Sequence, residues 1–202
     1  MSDNGVDPRR RRFLTLTTAG IGAVGAGFAA VPFVLSMTPS ARAKAAGAPV
    51  EIDIGKVEPG QLITEEWRGK PVWIVRRTPE MLKSLETDKD LLADPNSDVT
   101  DQQPAYARNA TRSIKPEIMV VVGICTHLGC SPDKRLGAGQ VSGMSEDWPG
   151  GFFCPCHGSK FDLAGRVFKN VPAPTNLVVP PHTYLSETRI LVGVDPNPKG
   201  GV

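Results

Sequence analysis

A chain of 202 residues has room for one compact domain with appendages. With 40% hydrophobic and 22% charged residues its composition is ordinary for a globular protein, and a net charge of +2 offers no electrostatic footprint for nucleic acid. Its four cysteines are too few for a disulfide scaffold, although any disulfide among them would require an oxidising compartment.

Residues 1–12 are polar and end in Arg9-Arg10-Arg11-Arg12, after which Phe13-Leu14 opens a run without charge until Arg42. Arg10-Arg11-Arg12-Phe13-Leu14 resembles the twin-arginine export motif R-R-x-F-L, with Arg9 where Ser or Thr is commoner; such a motif addresses a chain for export. The uncharged run exceeds the roughly 20 residues that cross about 30 Å of hydrocarbon, so residues 13–37 are expected to form one transmembrane helix. Pro32 and an Ala41-Arg42-Ala43 sequence resembling a signal-peptidase site make a cleaved signal the alternative, but a secretory core is shorter, about 7 to 15 apolar residues. Gly20, Gly22, Gly25 and Gly27 would let a neighbouring helix approach closely. Four arginines before the span, against Arg42 and Lys44 after it, predict a cytoplasmic N-terminus and a periplasmic remainder at the bacterial inner membrane. Residues 38–49, TPSARAKAAGAP, can bury little and read as a flexible hinge that would reach roughly 40 Å if extended, with a helical continuation as the alternative.

From Val50 the pattern turns to short strands. Residues 50–54 alternate, and residues 61–67 and 72–76 flank the turn Arg68-Gly69-Lys70-Pro71 as a hairpin would. Trp67 and Trp73 are expected in the core, Arg76 and Arg77 in solvent. Thr78-Pro79-Glu80 has the order that opens a helix, with Met81, Leu82 and Leu85 inward and an end near Leu92. Residues 96–116 are polar and read as a surface excursion; residues 117–124, EIMVVVGI, read as a buried strand. Residues 132–151, with five glycines and two prolines, read as a connection. A turn and strand at 165–168, then residues 177–179 and 188–194, complete a domain over 50–202. Many short strands with one short helix predict a mainly β fold, an antiparallel sandwich or open barrel. His182, between Pro181 and Thr183, is expected at the surface or in packing.

Every cysteine, and two of the three histidines, lie in residues 125–161. Two boxes hold them: Cys125-Thr126-His127-Leu128-Gly129-Cys130 and Cys154-Pro155-Cys156-His157-Gly158-Ser159. Each offers one Cys and one His at ligand spacing, Cys125-x-His127 and Cys154-x-x-His157. Two thiolates with two imidazoles suit either tetrahedral zinc or a [2Fe-2S] cluster in which two His replace two Cys on one iron.

The paired pattern C-T-H-L-G-C and C-P-C-H-G-S resembles the Rieske family, in the form found in the iron-sulfur subunit of cytochrome bc complexes. The resemblance runs from the export motif to the closing strand. It implies a β base fold with a cluster-binding subdomain at about 124–177 and a retained anchor. The implied cofactor is a Rieske [2Fe-2S] cluster, with Cys125 and Cys154 on the inner iron and His127 and His157 on the outer one. Loops drawn together by such a cluster would bring Cys130 and Cys156 side by side for a disulfide.

The implied activity is that of an electron-transfer subunit of a ubiquinol-cytochrome c reductase, coupled to proton translocation. Quinol, cytochrome b and cytochrome c1 type subunits are the implied partners, in a dimeric membrane complex, with His157 contacting the quinone. A small Rieske subunit of a periplasmic oxidoreductase such as arsenite oxidase is the second class; a structural zinc module is the third. Leu128 and Gly129 are implied to dock onto cytochrome b, and Val171-Pro172-Ala173-Pro174-Thr175-Asn176-Leu177 resembles the proline loop that covers the cluster. Ser159 matches a position whose hydroxyl bonds a cluster sulfur and raises the potential. Phe161 stands where high-potential members carry tyrosine, so the potential is expected to lie below theirs.

Overall fold

The computed structural model describes residues 5, 7–87, 89–139, 144 and 147–196. The first four residues, part of the connection between the boxes (140–143 and 145–146) and the last six lie outside the described residues. The chain divides into two compact units, Met1–Ala45 and Ala46–Val202.

In the first unit a 29-residue helix, α1, spans Pro8–Ser36. It starts five residues before the uncharged run because Asp7 caps it, accepting the Arg9 N–H at 2.9 Å, and Pro8 supplies the first turn. The four arginines are therefore its opening turn rather than a preceding tail. At about 1.5 Å per residue the helix is about 44 Å long; it is long and apolar enough to cross a membrane, and none of its residues is buried. The alanine-rich segment after it takes the helical alternative over a short stretch, α2 (Ala41–Ala46), where the Ser40 hydroxyl accepts the Ala43 N–H at 3.1 Å.

The second unit holds, among the described residues, nine strands: β1 (Val50–Asp53), β2 (Leu62–Trp67), β3 (Lys70–Arg76), β4 (Ile118–Val122), β5 (Asp133–Arg135), β6 (Gly151–Phe153), β7 (Lys160–Phe161), β8 (His182–Ser186) and β9 (Arg189–Val192). They form three antiparallel sheets ordered β1-β9-β8, β2-β3-β4 and β5-β6-β7. The middle sheet is buried on both sides. Val72 and Ile74 of β3, with Ile118 and Val120 of β4, pack against Ile52, Ile190 and Val192 of the first sheet. Their alternates Trp73, Val75, Met119 and Val121 pack with Phe152, Phe161, Cys125 and Cys154 on the other side. Period-two alternation with two apolar faces explains why residues 118–122 read as an unbroken apolar run. The boxes are thus rooted in the core of the base fold.

Two local details fix this arrangement. Arg68 and Gly69 both take positive φ (54° and 70°), which makes a two-residue primed turn and leaves Lys70 and Pro71 in β3. Gly123 has no room for a side chain, because a Cβ there would lie 2.2 Å from the Trp73 indole. That indole stacks on Phe152, centroids 4.9 Å apart, below the second box.

Several expectations need correction. Arg77 is not solvated: it is 2% exposed and donates to the Thr111 and Leu163 carbonyls and the Ser113 hydroxyl. Arg76 is half-buried and donates to the Val57 carbonyl at 2.9 Å. Residues 96–116 are no surface excursion, since Ser97, Gln103, Ala107, Arg112 and Ser113 are buried. Gln103, Arg112 and Ser113 went inward because each meets a backbone carbonyl or another polar group, whereas the buried Ser97 hydroxyl has no hydrogen-bond partner among the described residues. The helix α3 (Pro79–Thr87) does bury Leu85, but a 3-10 turn at Lys89–Leu91 replaces its last part. Residues 177–179 form no strand, contributing single backbone bonds such as Val122 N–H to Val178 O, 2.8 Å. Strand β8 and the short β5, β6 and β7 were not expected, masked by Pro180-Pro181 and by the glycine-rich context, and the strand expected at 165–168 is reduced to single bridges, Phe161 with Val167 and Leu92 with Phe168.

Candidate metal centre

The two boxes fold on one plan. In the first, the Cys125 N–H donates to the Cys130 carbonyl (2.7 Å) and the Gly129 N–H to the Cys125 carbonyl (3.1 Å). In the second, the Cys154 N–H donates to the Ser159 carbonyl (2.8 Å) and the Gly158 N–H to the Cys154 carbonyl (2.9 Å). Gly129 and Gly158 both have positive φ (84° and 78°) in open space, so backbone conformation and not crowding demands glycine. A glycine four residues after each leading cysteine is legible in the sequence.

On this shared frame the chemistry is exchanged between positions. Two residues after the leading cysteine stand His127 and Cys156; three after it, Leu128 and His157; five after it, Cys130 and Ser159. The disulfide Cys130–Cys156 therefore joins unlike positions of like loops. The Cys154 sulfur lies within 4.8 Å of both disulfide sulfurs, but a disulfide offers no thiolate, so this trio is not itself a metal site.

Cys125 and Cys154 are free thiols at 2% exposure. His127 is half-buried and His157 exposed, their rings 4.8 Å apart and nearly perpendicular at 85°. Burial pushes the Cys125 thiol pKa up, the His127 backbone N–H and the Ser159 hydroxyl pull against it, the adjacent Cys154 adds to the rise, and the net direction is up. The fold so brings the two thiols together below and the two imidazoles together at the rim.

The loop 171–177 is latched to both boxes. The Ala173 N–H donates to the Ser159 hydroxyl oxygen at 3.0 Å, and the Thr126 hydroxyl donates to the Thr175 carbonyl at 2.6 Å. Ala173, Asn176 and Leu177 of this loop are buried, while Pro172 and Pro174 are exposed. Thr126 and Ala173 escaped sequence reading, the first hidden between two ligand-type residues and the second acting through its backbone. Leu128 is 71% exposed beside exposed Gly129 at the tip of the first box. Phe161 is fully buried, faces Phe152 across the strands, and shares the core of Cys125 and Cys154.

The Rieske [2Fe-2S] domain family matches residues 52–182. The chain belongs to the Rieske family. Residues 1–40 match a second family, described as the ubiquitinol-cytochrome C reductase Fe-S subunit TAT signal. The chain is 63% identical over 195 residues to the ubiquinol-cytochrome c reductase iron-sulfur subunit of Allochromatium vinosum, covering 96% of this chain and 93% of that one. It is 43% identical over 193 residues to the subunit of the same name from Blastochloris viridis, covering 95% and 97%.

The donor set fits a Rieske [2Fe-2S] centre. Two adjacent buried cysteine sulfurs can share one iron, which deprotonates the thiols that it binds. Two imidazoles at the rim suit the second iron, and zinc falls away as a reading with the family. As a Rieske protein with a TAT-signal match and an apolar N-terminal helix, the chain is a membrane-anchored, exported electron-transfer protein.

Proposed function

We propose that this chain is the electron-transfer subunit of a ubiquinol-cytochrome c reductase, taking one electron from quinol at a cytochrome b subunit and passing it to a c-type cytochrome. The observation that carries this is the pair of perpendicular imidazoles at an exposed rim over two buried thiols, in a chain 63% identical to a subunit of that name. The sulfurs of Cys125 and Cys154 would hold one iron of the cluster, and one ring nitrogen each of His127 and His157 the other. When bound, the cluster supplies one-electron chemistry, at about −150 to +300 mV for Rieske centres.

The chain's own residues do the rest. His157, exposed, presents its second ring nitrogen to the quinol, accepts a hydrogen bond from its hydroxyl and takes up the proton. Leu128, with Gly129, supplies an apolar tip that docks on cytochrome b and keeps water from the imidazoles. The 171–177 loop covers the opposite side, Ala173 toward the thiols and Pro172 and Pro174 outward. Residues 13–37 are the anchor, 38–49 the hinge and 50–202 the periplasmic head, with the cluster-binding subdomain at about 124–177. The N-terminus lies in the cytoplasm, and the subunit works in a dimeric complex with cytochromes b and c1.

Low-temperature electron paramagnetic resonance of dithionite-reduced membranes tests this, with and without a quinol-site inhibitor. A Rieske signal whose shape changes with the inhibitor is expected. A signal indifferent to it would overturn the quinol assignment and favour a periplasmic relay.

A further inference from the structure

Phe161 is followed by a tight turn, 162–166, on which three buried guanidinium groups converge. Arg166 donates to the Asp162 carboxylate at 2.7 Å and to the Leu85 and Pro95 carbonyls at 2.6 and 3.3 Å. Arg112 donates to the Ala164 and Gly165 carbonyls at 3.2 and 3.3 Å, and to the Gln102 carbonyl and Gln103 Oε1 at 3.2 and 2.9 Å. Arg77 donates to the Leu163 carbonyl at 3.1 Å. The exposures of Arg77, Arg112, Arg166 and Asp162 are 2%, 0%, 0% and 1%, and Asp162 is the one buried carboxylate among the described residues.

The oxygens that accept from Arg77 and Arg112 are neutral carbonyl, amide and hydroxyl groups that do not cancel their charge, and Nε of each has no hydrogen-bond partner among the described residues. Burial pushes both groups down to about 10, so both remain cationic at neutral pH. Three positive charges against one negative leave an excess of two inside the protein; half-buried Asp94, whose carboxylate accepts the Asp98 and Val99 N–H groups, offsets part of it. The turn that gathers the charge follows the second box directly: the Cys154 N–H donates to the Ser159 carbonyl, and the three residues from Ser159 to Asp162 span at most about 10 Å at about 3.3 Å each. It is also held in place, since the turn is closed by Asp162 N–H to Arg166 O and tied to the cover loop by Leu177 N–H to Gly165 O. In a buried setting, salt screens such charges little.

We propose that Arg77, Arg112 and Arg166 act as a fixed internal cation that raises the reduction potential of the cluster held by the two boxes, by favouring its reduced, more negative form. This rests on the boxes holding that cluster. These arginines are positioning and tuning residues, since none of the interactions above involves a ligand side chain.

The test is a potentiometric titration of membranes carrying the intact complex, followed by electron paramagnetic resonance, in wild type and in Arg112→Gln, Arg112→Lys and Asp162→Asn variants. Arg112→Gln is expected to shift the one-electron equilibrium three- to tenfold toward the oxidised form, a drop of about 30 to 60 mV at about 59 mV per tenfold. Arg112→Lys, which keeps the charge but loses the fork, stays within twofold of wild type, and Asp162→Asn shifts the equilibrium the opposite way. An equal drop in the Gln and Lys variants would mean that Arg112 is only a clamp, and no drop in either would also overturn the proposal. If Arg112→Gln fails to assemble, Arg77→Gln carries the test: a smaller drop supports the proposal and none defeats it. A Rieske line shape in wild type and variants keeps the cluster assignment standing whatever the potentials do, so the two readings fail separately.

Discussion

At the scale of single residues, Ser159 does two things with one hydroxyl. Its oxygen accepts the Ala173 N–H at 3.0 Å, which leaves its proton free to donate to the Cys125 sulfur. Ser159→Ala removes a hydrogen bond of about 1 kcal/mol that favours the reduced form, and the potential should fall by about 40 mV, from about 59 mV per tenfold. Phe161→Tyr is the converse change and should raise it by about as much; protein-film voltammetry reads both. His182 makes a different prediction. Expected at the surface or in packing, it is 0% exposed, with Nδ1–H donating to the Pro180 carbonyl at 2.9 Å and Nε2 without a hydrogen-bond partner in the described structure. Burial lowers its pKa below the usual histidine range. The unfolded chain therefore binds a proton, below about pH 6.5, that the folded chain refuses. The stability this neutral histidine contributes is complete above that pH and falls as the pH drops through the folded value, by up to about 1.4 kcal/mol per unit. Urea titrations at pH 7 and 5.5 should show a smaller loss in His182→Gln than in wild type.

At the scale of elements, the boxes are short loops held by their own backbone bonds, so what fixes them to each other matters. The Cys130–Cys156 disulfide closes a separation of 26 residues, a loop for which chain entropy gives about 3.5 kcal/mol. Replacing both cysteines by alanine should cost about that much in urea titration and make the reduced chromophore bleach faster, while the potential is set elsewhere and changes less. This element was the most legible in the sequence, because ligand chemistry confines residue type: a Cys or His at ligand spacing has few alternative uses, and Gly129 and Gly158 punctuate both loops at the same offset. The strand of residues 118–122 was legible for a similar reason, since burial on both faces leaves only apolar residues. Arg77, Arg112 and the whole stretch 96–116 were illegible. The burial of the two arginines depends on carbonyls contributed by residues 163–165, some fifty or more positions away, and no local pattern records such a partner.

At the scale of the whole molecule, Cys125 and Cys154 belong to the same buried cluster as Trp73, Met119 and Val121 of the middle sheet. Closure of that core and assembly of the site are therefore expected to be coupled. A route that threads an unfolded chain across a membrane would separate cluster insertion from folding. The match of residues 1–40 to a TAT-signal family removes that difficulty, because such a signal permits export after folding. The four arginines form the first turn of α1, which Asp7 caps, so the motif and the span are one continuous element. Changing Arg10 and Arg11 to lysine keeps charge and helix propensity, and membrane affinity should persist. Export should not. The variant is expected to show a Rieske resonance in whole cells while its head stays protected from protease added to spheroplasts, whereas the wild-type head is cleaved. A variant head that is still cleaved, but gives no resonance, would mean that the chain crosses unfolded and acquires its cluster afterwards, and the coupling between core closure and cluster assembly would have to be abandoned.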